Sequence, residues 1–266
     1  MTRRDIAGLR TIVTGASSGI GRALVLELVR QGAKVVATAR REDRLRELQS
    51  QVADGSRLRI LPGDVTSAAD RQAAIDLCLR EFGGLDALVN NAGMGGLGPF
   101  EYADEARLRR VMEVNLFAPA EFMRQALPTL KAGNKPIIVN IASVLGHRAV
   151  PGKSEYCASK FALHGLSDSL RTEFGRIGID LLLVCPSTTT SEFFDVAIQT
   201  EAQRRDVAKR PEGQFGIMSA EAVARKTVAA MRKGKGEIIL SLGGTLLVWL
   251  DRLCPPAADW LVRRWT

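Results

Sequence analysis

Short apolar runs alternate along the chain with longer stretches whose apolar residues recur every three or four positions. The short runs are typical of strands, and the longer stretches have the period of amphipathic helices. This alternation predicts an α/β fold in which about seven parallel strands form a doubly wound sheet between helices. The clearest predicted strands are residues 11–14, 35–39, 58–61, 88–89, 180–185 and 237–241.

The chain of 266 residues is long enough to bury the core of one large α/β domain. Its sequence contains no internal repeat, low-complexity tract or linker-like segment. We therefore predict a single domain over residues 1–242, followed by a short extension over residues 243–266.

A glycine-rich turn joins the first predicted strand to the first predicted helix. It contains Gly15, Ser17, Ser18, Gly19, Ile20 and Gly21. Glycines permit a tight turn that brings backbone N–H groups and a helix N-terminus against a pyrophosphate. An ordinary strand-to-helix turn can share this spacing, but the position of the turn in the first strand–helix unit favours a dinucleotide site and a Rossmann-type sheet.

Two arginines follow the second predicted strand, where a carboxylate would bind the adenosine ribose 2′-hydroxyl of NAD. Arg40 and Arg41 instead offer guanidinium groups, whose charge and planar geometry suit a 2′-phosphate. They predict a preference for NADP(H) over NAD(H). The alternative is that both are solvated charges before a helix that begins near Glu42 and Asp43.

A tyrosine and a lysine stand four residues apart, and a serine lies thirteen residues before the tyrosine. Tyr156 and Lys160 would share one face of a helix. A phenol has a pKa of about 10, so a neighbouring ammonium would be needed to favour its ionised form near neutral pH. Ser143 could hydrogen-bond to the same substrate oxygen. Because a plain amphipathic helix gives the same spacing, the pair indicates chemistry only together with the glycine turn.

With these residues the chain resembles the short-chain dehydrogenase/reductase family along nearly its whole length. Its glycine turn is similar to the family's Thr-Gly-x-x-x-Gly-x-Gly loop. Asp64 and Val65 are similar to the pair that contacts the adenine ring in the family. The segment that contains Asn91, Ala92 and Gly93 matches the motif that supports the family's central sheet.

The resemblance implies a catalytic tetrad of Asn115, Ser143, Tyr156 and Lys160. Tyr156 would be the general acid in carbonyl reduction and the base in alcohol oxidation, while Ser143 would orient the substrate oxygen. Lys160 would bind the nicotinamide ribose and favour ionised Tyr156. Asn115 would hold a water that links Lys160 to solvent; without the resemblance, a helix-packing amide is the preferred interpretation.

The resemblance also implies contacts to the nicotinamide from the segment after residues 180–185. Pro186, Thr189 and Ser191 would lie beside the cofactor; the alternative is a hydroxyl-rich turn without such a contact. Ser187 stands where glycine is usual in the family, and serine tolerates a positive φ poorly. Residues from about 190 to 217 would form a lid that sets substrate specificity.

Composition bears on metals, partners and location. The four cysteines lack the paired spacing of a zinc or redox site, so we predict reduced thiols, no metal and a cytoplasmic protein. The N-terminus has no apolar core of a signal peptide. The net charge of +8 comes from dispersed basic residues without a nucleic-acid motif, so nucleic acid is not an expected partner.

All three tryptophans lie in the extension over residues 243–266. Its apolar runs are shorter than the roughly 20 residues that span a bilayer, and paired prolines separate them. Tryptophan and arginine beside apolar turns suit a segment that lies on a membrane surface. They equally suit a helical pair that packs on a neighbouring subunit or over the substrate mouth. Either arrangement favours a hydrophobic substrate.

The sequence thus predicts an NADP(H)-dependent oxidoreductase that moves a hydride between the nicotinamide and a carbonyl or secondary alcohol. By resemblance it would be a homodimer or homotetramer. Two alternatives stay open. One is a non-catalytic NADP(H)-binding regulatory or scaffold protein, since fold alone does not establish function. The other is a membrane-surface lipid or steroid-like carbonyl reductase, anchored by the C-terminal extension.

Overall fold

A computed structural model describes residues 4–187, 189–190 and 218–265 of the chain. Strands and helices alternate, as the apolar pattern predicts. The strands are β1 (Arg10–Thr14), β2 (Lys34–Ala39), β3 (Leu58–Pro62), β4 (Ala87–Asn90), β5 (Ile137–Ile141), β6 (Asp180–Cys185), β7 (Thr189–Thr190), β8 (Met218–Ser219) and β9 (Glu237–Ile239). The helices are α1 (Gly19–Arg30), α2 (Glu42–Ser50), α3 (Ala68–Phe82), α4 (Glu105–Met112), α5 (Ala118–Lys131), α6 (Ser154–Gly175), α7 (Ala220–Lys233), α8 (Leu242–Leu253) and α9 (Pro255–Trp265).

Seven strands form one parallel sheet in the order β3-β2-β1-β4-β5-β6-β9, which confirms the predicted doubly wound α/β fold. The sheet grows in both directions from β1, whose neighbours are β2 and β4. In such sheets, ligands bind in the crevice beyond the carboxyl ends of the strands, at the point where the strand order reverses. The short strands β7 and β8 pair with each other in a separate sheet.

Successive residues of each strand enter cores on opposite faces of the sheet. In β1, Val13 belongs to the core beneath α1, α2 and α7, whereas Ile12 belongs to the core beneath α3, α5 and α6. Because both faces are covered, the five inner strands of the sheet are buried almost throughout, which explains their continuous apolar runs. The edge strands β3 and β9 are mostly half-buried.

The last strand is shorter than its sequence indicates. The apolar run predicted a strand over residues 237–241, but β9 ends at Ile239. Ser241 instead caps α8, because its Oγ accepts a hydrogen bond of 2.9 Å from the backbone N–H of Gly244. A serine at a helix N-cap satisfies a donor that the helix leaves unpaired, and this local bond ends the strand early.

The two C-terminal helices pack over the turn that follows β5. Arg148 in this turn donates a hydrogen bond of 2.7 Å to Asp251 of α8 and another to Asp259 of α9. Leu247 and Val262 face inward and are buried. Across the described residues, we find no helix long and apolar enough to cross a bilayer.

Candidate active site

The carboxyl ends of the central strands open into a cavity of about 820 Å³. Most of the site residues predicted from the sequence meet in its wall, although they come from segments far apart in the chain. They are Gly15, Ser17, Ser18, Gly19, Ile20, Arg40, Arg41, Asp64, Val65, Asn91, Ala92, Gly93, Ser143, Tyr156, Lys160, Pro186 and Thr189. Two other predicted residues, Gly21 and Asn115, are buried behind the wall.

The glycine turn is held in shape by the end of β4. The Oγ1 of Thr14 accepts hydrogen bonds of 2.9 Å from the backbone N–H groups of Asn91 and Ala92. In return, the Asn91 amide donates to the carbonyl oxygens of Thr14 and Gly15, at 2.9 and 3.2 Å. The motif that supports the sheet thus also fixes the turn.

Two glycines are required by this geometry. Gly15 has a φ of +64°, a conformation that other residues rarely adopt. A Cβ at Gly21 would lie 2.2 Å from the carbonyl oxygen of Gly15, so any side chain there would push α1 away from the turn. Helix α1 therefore starts directly at the cavity, and its first turn carries no acidic residue. This cradle of turn and helix N-terminus fits an anionic pyrophosphate.

The arginine pair lies beside this cradle. Arg41 Nη2 donates hydrogen bonds to Ser18 Oγ at 2.8 Å and to Ser17 Oγ at 3.2 Å. Arg40 is exposed and also lines the cavity. Helix α2 begins at Glu42, as predicted, and Glu42 pairs with Arg46 on the outer surface. Both arginines thus line the same cavity as the glycine turn.

Asp64 lies at the end of β3 in a network that keeps it charged. Its Oδ1 accepts hydrogen bonds of 2.9 and 2.8 Å from the backbone N–H and hydroxyl of Thr66. Burial alone would raise the pKa of Asp64, but the Thr66 bonds and the charge of Arg110 hold it below the usual aspartate value. Arg110 of α4 also lines the cavity. Arg110 was not among the predicted site residues, because its amphipathic helix carries no motif that marks a cofactor contact.

Ser143, Tyr156 and Lys160 lie together at the other end of the cavity. Ser143 follows β5 and shares a hydrogen bond with Tyr156 in the first turn of α6. Lys160 lies one turn further along α6. Its Nζ donates a hydrogen bond of 2.9 Å to the carbonyl oxygen of Ile141 and lies 5.7 Å from the centre of the Tyr156 ring. The side chains are 9% exposed for Tyr156 and 4% for Lys160.

Burial dominates the electrostatics of this pair. It raises the pKa of Tyr156 above the ordinary phenol value, and the hydrogen bond from Ser143 offsets only part of the rise. It also lowers the pKa of Lys160 to about 8. The expectation that Lys160 lowers the pKa of Tyr156 is therefore not met within the protein itself, because desolvation disfavours the charged forms of both groups.

Asn115 lies in a single π-helical turn, Glu113–Phe117, between α4 and α5. Its Oδ1 accepts a hydrogen bond of 2.9 Å from the Met94 backbone N–H, and its Nδ2 donates to the Met94 carbonyl oxygen and to Ser159 Oγ, at 3.0 and 2.9 Å. The side chain thus ties the segment after β4 to α6. These contacts agree with the packing interpretation, while the water relay to Lys160 stays a prediction.

A buried ion pair that the sequence did not reveal stands next to Tyr156. Arg107 Nε donates a hydrogen bond of 2.9 Å to Glu155 Oε1, and Arg107 Nη1 donates 3.1 Å to the carbonyl oxygen of Leu97. The exposed fractions are 6% for Arg107 and 2% for Glu155. The pair holds the first turn of α6 against α4 and the segment after β4. Its two partners are 48 residues apart in sequence, so no local sequence pattern predicts the ion pair.

The segment after β6 runs along the cavity without a positive φ at Ser187. Among the described non-glycine residues, only Lys135 has one, so the serine is accommodated in an ordinary conformation. The hydroxyl of Thr189 donates a hydrogen bond of 3.2 Å to the carbonyl oxygen of Ser187. Ser191 and residues 191–217 of the predicted lid lie outside the described residues.

A family model described as short chain dehydrogenase matches residues 10–202, which contain the glycine turn and the tetrad. The chain belongs to the short-chain dehydrogenase/reductase family. It is therefore an oxidoreductase of that family, built on a fold that binds a nicotinamide cofactor, and the predicted resemblance is confirmed.

Similar members of the short-chain dehydrogenase/reductase family come from plants and bacteria. The chain is 31% identical to 11-beta-hydroxysteroid dehydrogenase A of Sesamum indicum, over 97% of this chain and 76% of that protein. It is 35% identical to 2-(S)-hydroxypropyl-CoM dehydrogenase 3 of Xanthobacter autotrophicus, over 79% and 86%. A crystal structure of a family member from Burkholderia phymatum in complex with NAD matches with a TM-score of 0.86 and 26% identity, over 94% of each chain.

Beyond Tyr156, the cavity of this short-chain dehydrogenase/reductase has a largely apolar wall. It is formed by the segment between Ser143 and α6 and by the inner face of the C-terminal helices. The apolar residues are Val144, Leu145, Val150, Pro151, Leu247 and Val262, and Lys153 adds one amine. The C-terminal helices thus reach the cavity within their own chain.

Proposed function

We propose that the protein is an NADP(H)-dependent oxidoreductase that acts on a hydrophobic carbonyl or secondary alcohol, with Tyr156 as general acid and base. The observation that carries this proposal is the hydrogen-bonded pair of Ser143 and Tyr156 between the glycine-turn end of the cavity and its apolar end. A nicotinamide cofactor bound in the cavity would supply or accept the hydride. The side chains must then orient the substrate oxygen and move one proton.

Tyr156 would perform the proton transfer. Because burial raises its pKa, the phenol keeps its proton at neutral pH and is ready to donate it to a substrate oxygen. Ser143 would donate a second hydrogen bond to the same oxygen and so stabilise charge that develops there. Lys160, with a pKa lowered to about 8, is close enough to neutral pH to exchange a proton of its own.

The chemistry at the other end of the cavity supports NADP(H). The glycine turn and the N-terminus of α1 would hold the pyrophosphate, and Asp64 and Val65 would border the adenine. Arg41 points its guanidinium at the hydroxyls of the turn, and Arg40 stands beside it. Two cations at this place favour a 2′-phosphate, which NADP(H) has and NAD(H) lacks.

The apolar wall supports a hydrophobic substrate. Leu145, Val150, Leu247 and Val262 line the same cavity as Tyr156, so an apolar body would be bound there by burial of its surface. The name of the sesame relative, a hydroxysteroid dehydrogenase, agrees with a substrate of this class. We therefore place steroid-like and other bulky apolar ketones first in a substrate screen.

The cofactor preference can be tested by titrating the protein with NADPH and NADH and following nicotinamide fluorescence. We expect Arg41→Ala to weaken NADPH binding about 10- to 100-fold, which corresponds to the roughly 1.5–3 kcal/mol of a hydrogen bond to a charged group. NADH binding is expected to change little. Arg40→Ala should act in the same direction.

The control for this titration is Arg46→Ala, which removes an exposed arginine of α2 that pairs with Glu42 outside the cavity. It should leave both affinities unchanged. NADH binding as tight as NADPH binding in the unaltered protein, with no selective effect of either arginine, would contradict the NADP(H) proposal. Failure of both cofactors to bind would instead favour the regulatory or scaffold alternative.

A second candidate function is reduction of a lipid-like substrate at a membrane surface. Leu242, Leu246, Trp249 and Leu253 form one stripe along the outer face of α8, and they are 92%, 70%, 52% and 78% exposed. The neighbouring α9 adds Trp260, which is 56% exposed, with the Arg264 guanidinium 4.2 Å from the centre of its ring. An apolar stripe flanked by arginines suits the interface of an anionic bilayer.

We expect Leu246→Ser and Trp249→Ser to reduce sedimentation with vesicles that contain anionic phospholipid, each by about tenfold in partition coefficient. Both positions are exposed, so folding should be retained. Leu79→Ser, at a leucine of α3 that is 41% exposed, is the matched control. Vesicle binding that does not differ between these variants would exclude the stripe as an anchor, and dissociation of an oligomer would assign it to a subunit contact.

We also propose a homodimer or homotetramer in the cytoplasm, peripheral to the membrane if the anchor holds. Phe117 and Phe161 are 52% and 44% exposed on the helical layer that bears Tyr156. Large exposed aromatic side chains are typical of subunit interfaces. They support association through that layer.

A further inference from the structure

A cluster outside the proposed catalytic machinery brings together both histidines of the chain. The rings of His147 and His164 meet edge to face, with their centres 4.2 Å apart. His147 Nε2 shares a hydrogen bond of 2.8 Å with Glu237 Oε1, and His164 Nε2 lies 4.0 Å from the same oxygen. The side chains are 5%, 12% and 28% exposed for His147, His164 and Glu237. The cluster is therefore largely shielded from solvent.

The three residues come from three separate elements. His147 follows the turn after Ser143, His164 lies one helical turn beyond Lys160 on α6, and Glu237 is the first residue of β9. Through Glu237, the contacts of the two histidines join the turn after Ser143 to α6, the helix that carries Tyr156. No local spacing in the sequence marks such a cluster, since 90 residues separate His147 from Glu237.

The ligand atoms have the spacing of a metal site. Tetrahedral zinc holds nitrogen and oxygen ligands at about 2.0–2.2 Å, so that the ligand atoms lie about 3.3–3.6 Å from one another. The observed separations from Glu237 Oε1, 2.8 and 4.0 Å, lie on either side of this value. One ligand atom from each of the three residues falls within 4.8 Å of the others. Side-chain adjustments would bring the two histidine nitrogens and the glutamate oxygen to one ion.

We propose that His147, His164 and Glu237 form a binding site for a divalent transition metal such as Zn²⁺. Two imidazoles and one carboxylate are a donor set that zinc accepts, with water as a fourth ligand. The ion would replace the proton that His147 and Glu237 share. The ion would hold the turn after Ser143 against α6. Metal binding would therefore make the end of the cavity that contains Ser143 and Tyr156 more rigid.

The surroundings of the cluster are compatible with a bound cation. Asp168 Oδ2 lies 3.3 Å from His164 Nε2, and Cys185 Sγ lies 3.7 Å from Glu237 Oε1. Arg171 brings a positive charge nearby, but its Nη1 donates 2.8 Å to Asp168 Oδ1. Asp168 thus balances that guanidinium, and its carboxylate stands beside the same His164 nitrogen that would bind the ion.

The test uses the full chain without a histidine tag, in a Cys254→Ser background that removes the exposed thiol. Equilibrium dialysis against Zn²⁺ should give one bound ion per chain, and Co²⁺ should give the visible absorption of a low-symmetry site. Saturating Zn²⁺ is expected to raise Tm by about 5 °C. His164→Gln and Glu237→Gln should each weaken binding at least about tenfold.

The control variant is Glu173→Gln, which alters an exposed carboxylate of the same helix and should bind Zn²⁺ unchanged. Circular dichroism establishes that each variant is folded before dialysis. Less than one ion bound per chain at micromolar Zn²⁺, or equal binding by His164→Gln, Glu237→Gln and the parent, would overturn the proposal. These measurements use neither cofactor nor substrate, so their outcome is independent of the proposed oxidoreductase activity.

Discussion

Tyr156→Phe is expected to lower the turnover number about 10²- to 10⁴-fold while leaving cofactor affinity nearly unchanged. The substitution removes one hydroxyl at the end of the cavity and keeps the ring that packs there. General acid–base catalysis by a positioned side chain contributes a factor of this size. The measurement is the initial rate of NADPH oxidation with a ketone found in the screen, beside NADPH titration of the same preparation.

The chain offers a matched control, because its second tyrosine, Tyr102, is 62% exposed. Tyr102→Phe removes the same atom outside the cavity and should leave the rate unchanged. Full activity of Tyr156→Phe would refute the acid–base role. Loss of NADPH binding in that variant would show instead that the hydroxyl is needed to hold the cofactor.

Most of the cofactor end of the site was predictable because local sequence encodes local geometry. A glycine at position 15 is needed for the positive φ, and a glycine at position 21 because the turn and α1 nearly touch. In a parallel sheet, the residues that follow the carboxyl ends of the strands also lie along the same edge of the sheet. The order of the motifs therefore predicts that Gly15, Arg41, Asp64 and Asn91 lie around one cavity, as the structure shows.

The parts that the sequence did not predict depend on contacts between distant segments. Arg107 and Glu155 meet only because α4 packs on α6. The sequence left open where the C-terminal extension packs, and Leu247 and Val262 reach the cavity because α8 and α9 fold back over the turn after β5. The electrostatics of Tyr156 also differ from expectation, since the spacing to Lys160 shows proximity but not the extent of burial. Neither pairing nor desolvation leaves a periodic pattern in the chain.

Arg107→Ala is expected to destabilise the protein by about 3–5 kcal/mol, because it leaves the buried carboxylate of Glu155 without its partner. For a chain of this size that loss corresponds to a decrease in Tm of roughly 10 °C or more. The measurement is thermal or urea unfolding at pH 8. Arg109→Ala is the matched control, since Arg109 lies in the same helix and pairs with Glu105 in solvent.

The pH dependence of this loss identifies its cause. In the unaltered protein, burial would raise the pKa of Glu155, but Arg107 holds it below the usual value, so the charged pair adds stability above about pH 4.3 and loses it as the pH falls. In Arg107→Ala the pKa of Glu155 should rise above the unfolded value of about 4.3, and stability should then fall as the pH increases from about 4.3 through the raised pKa. The gap between the two proteins must therefore be wider at pH 8 than at pH 5. A gap that is constant across this range would mean that lost packing of the arginine side chain, rather than the stranded carboxylate, causes the destabilisation.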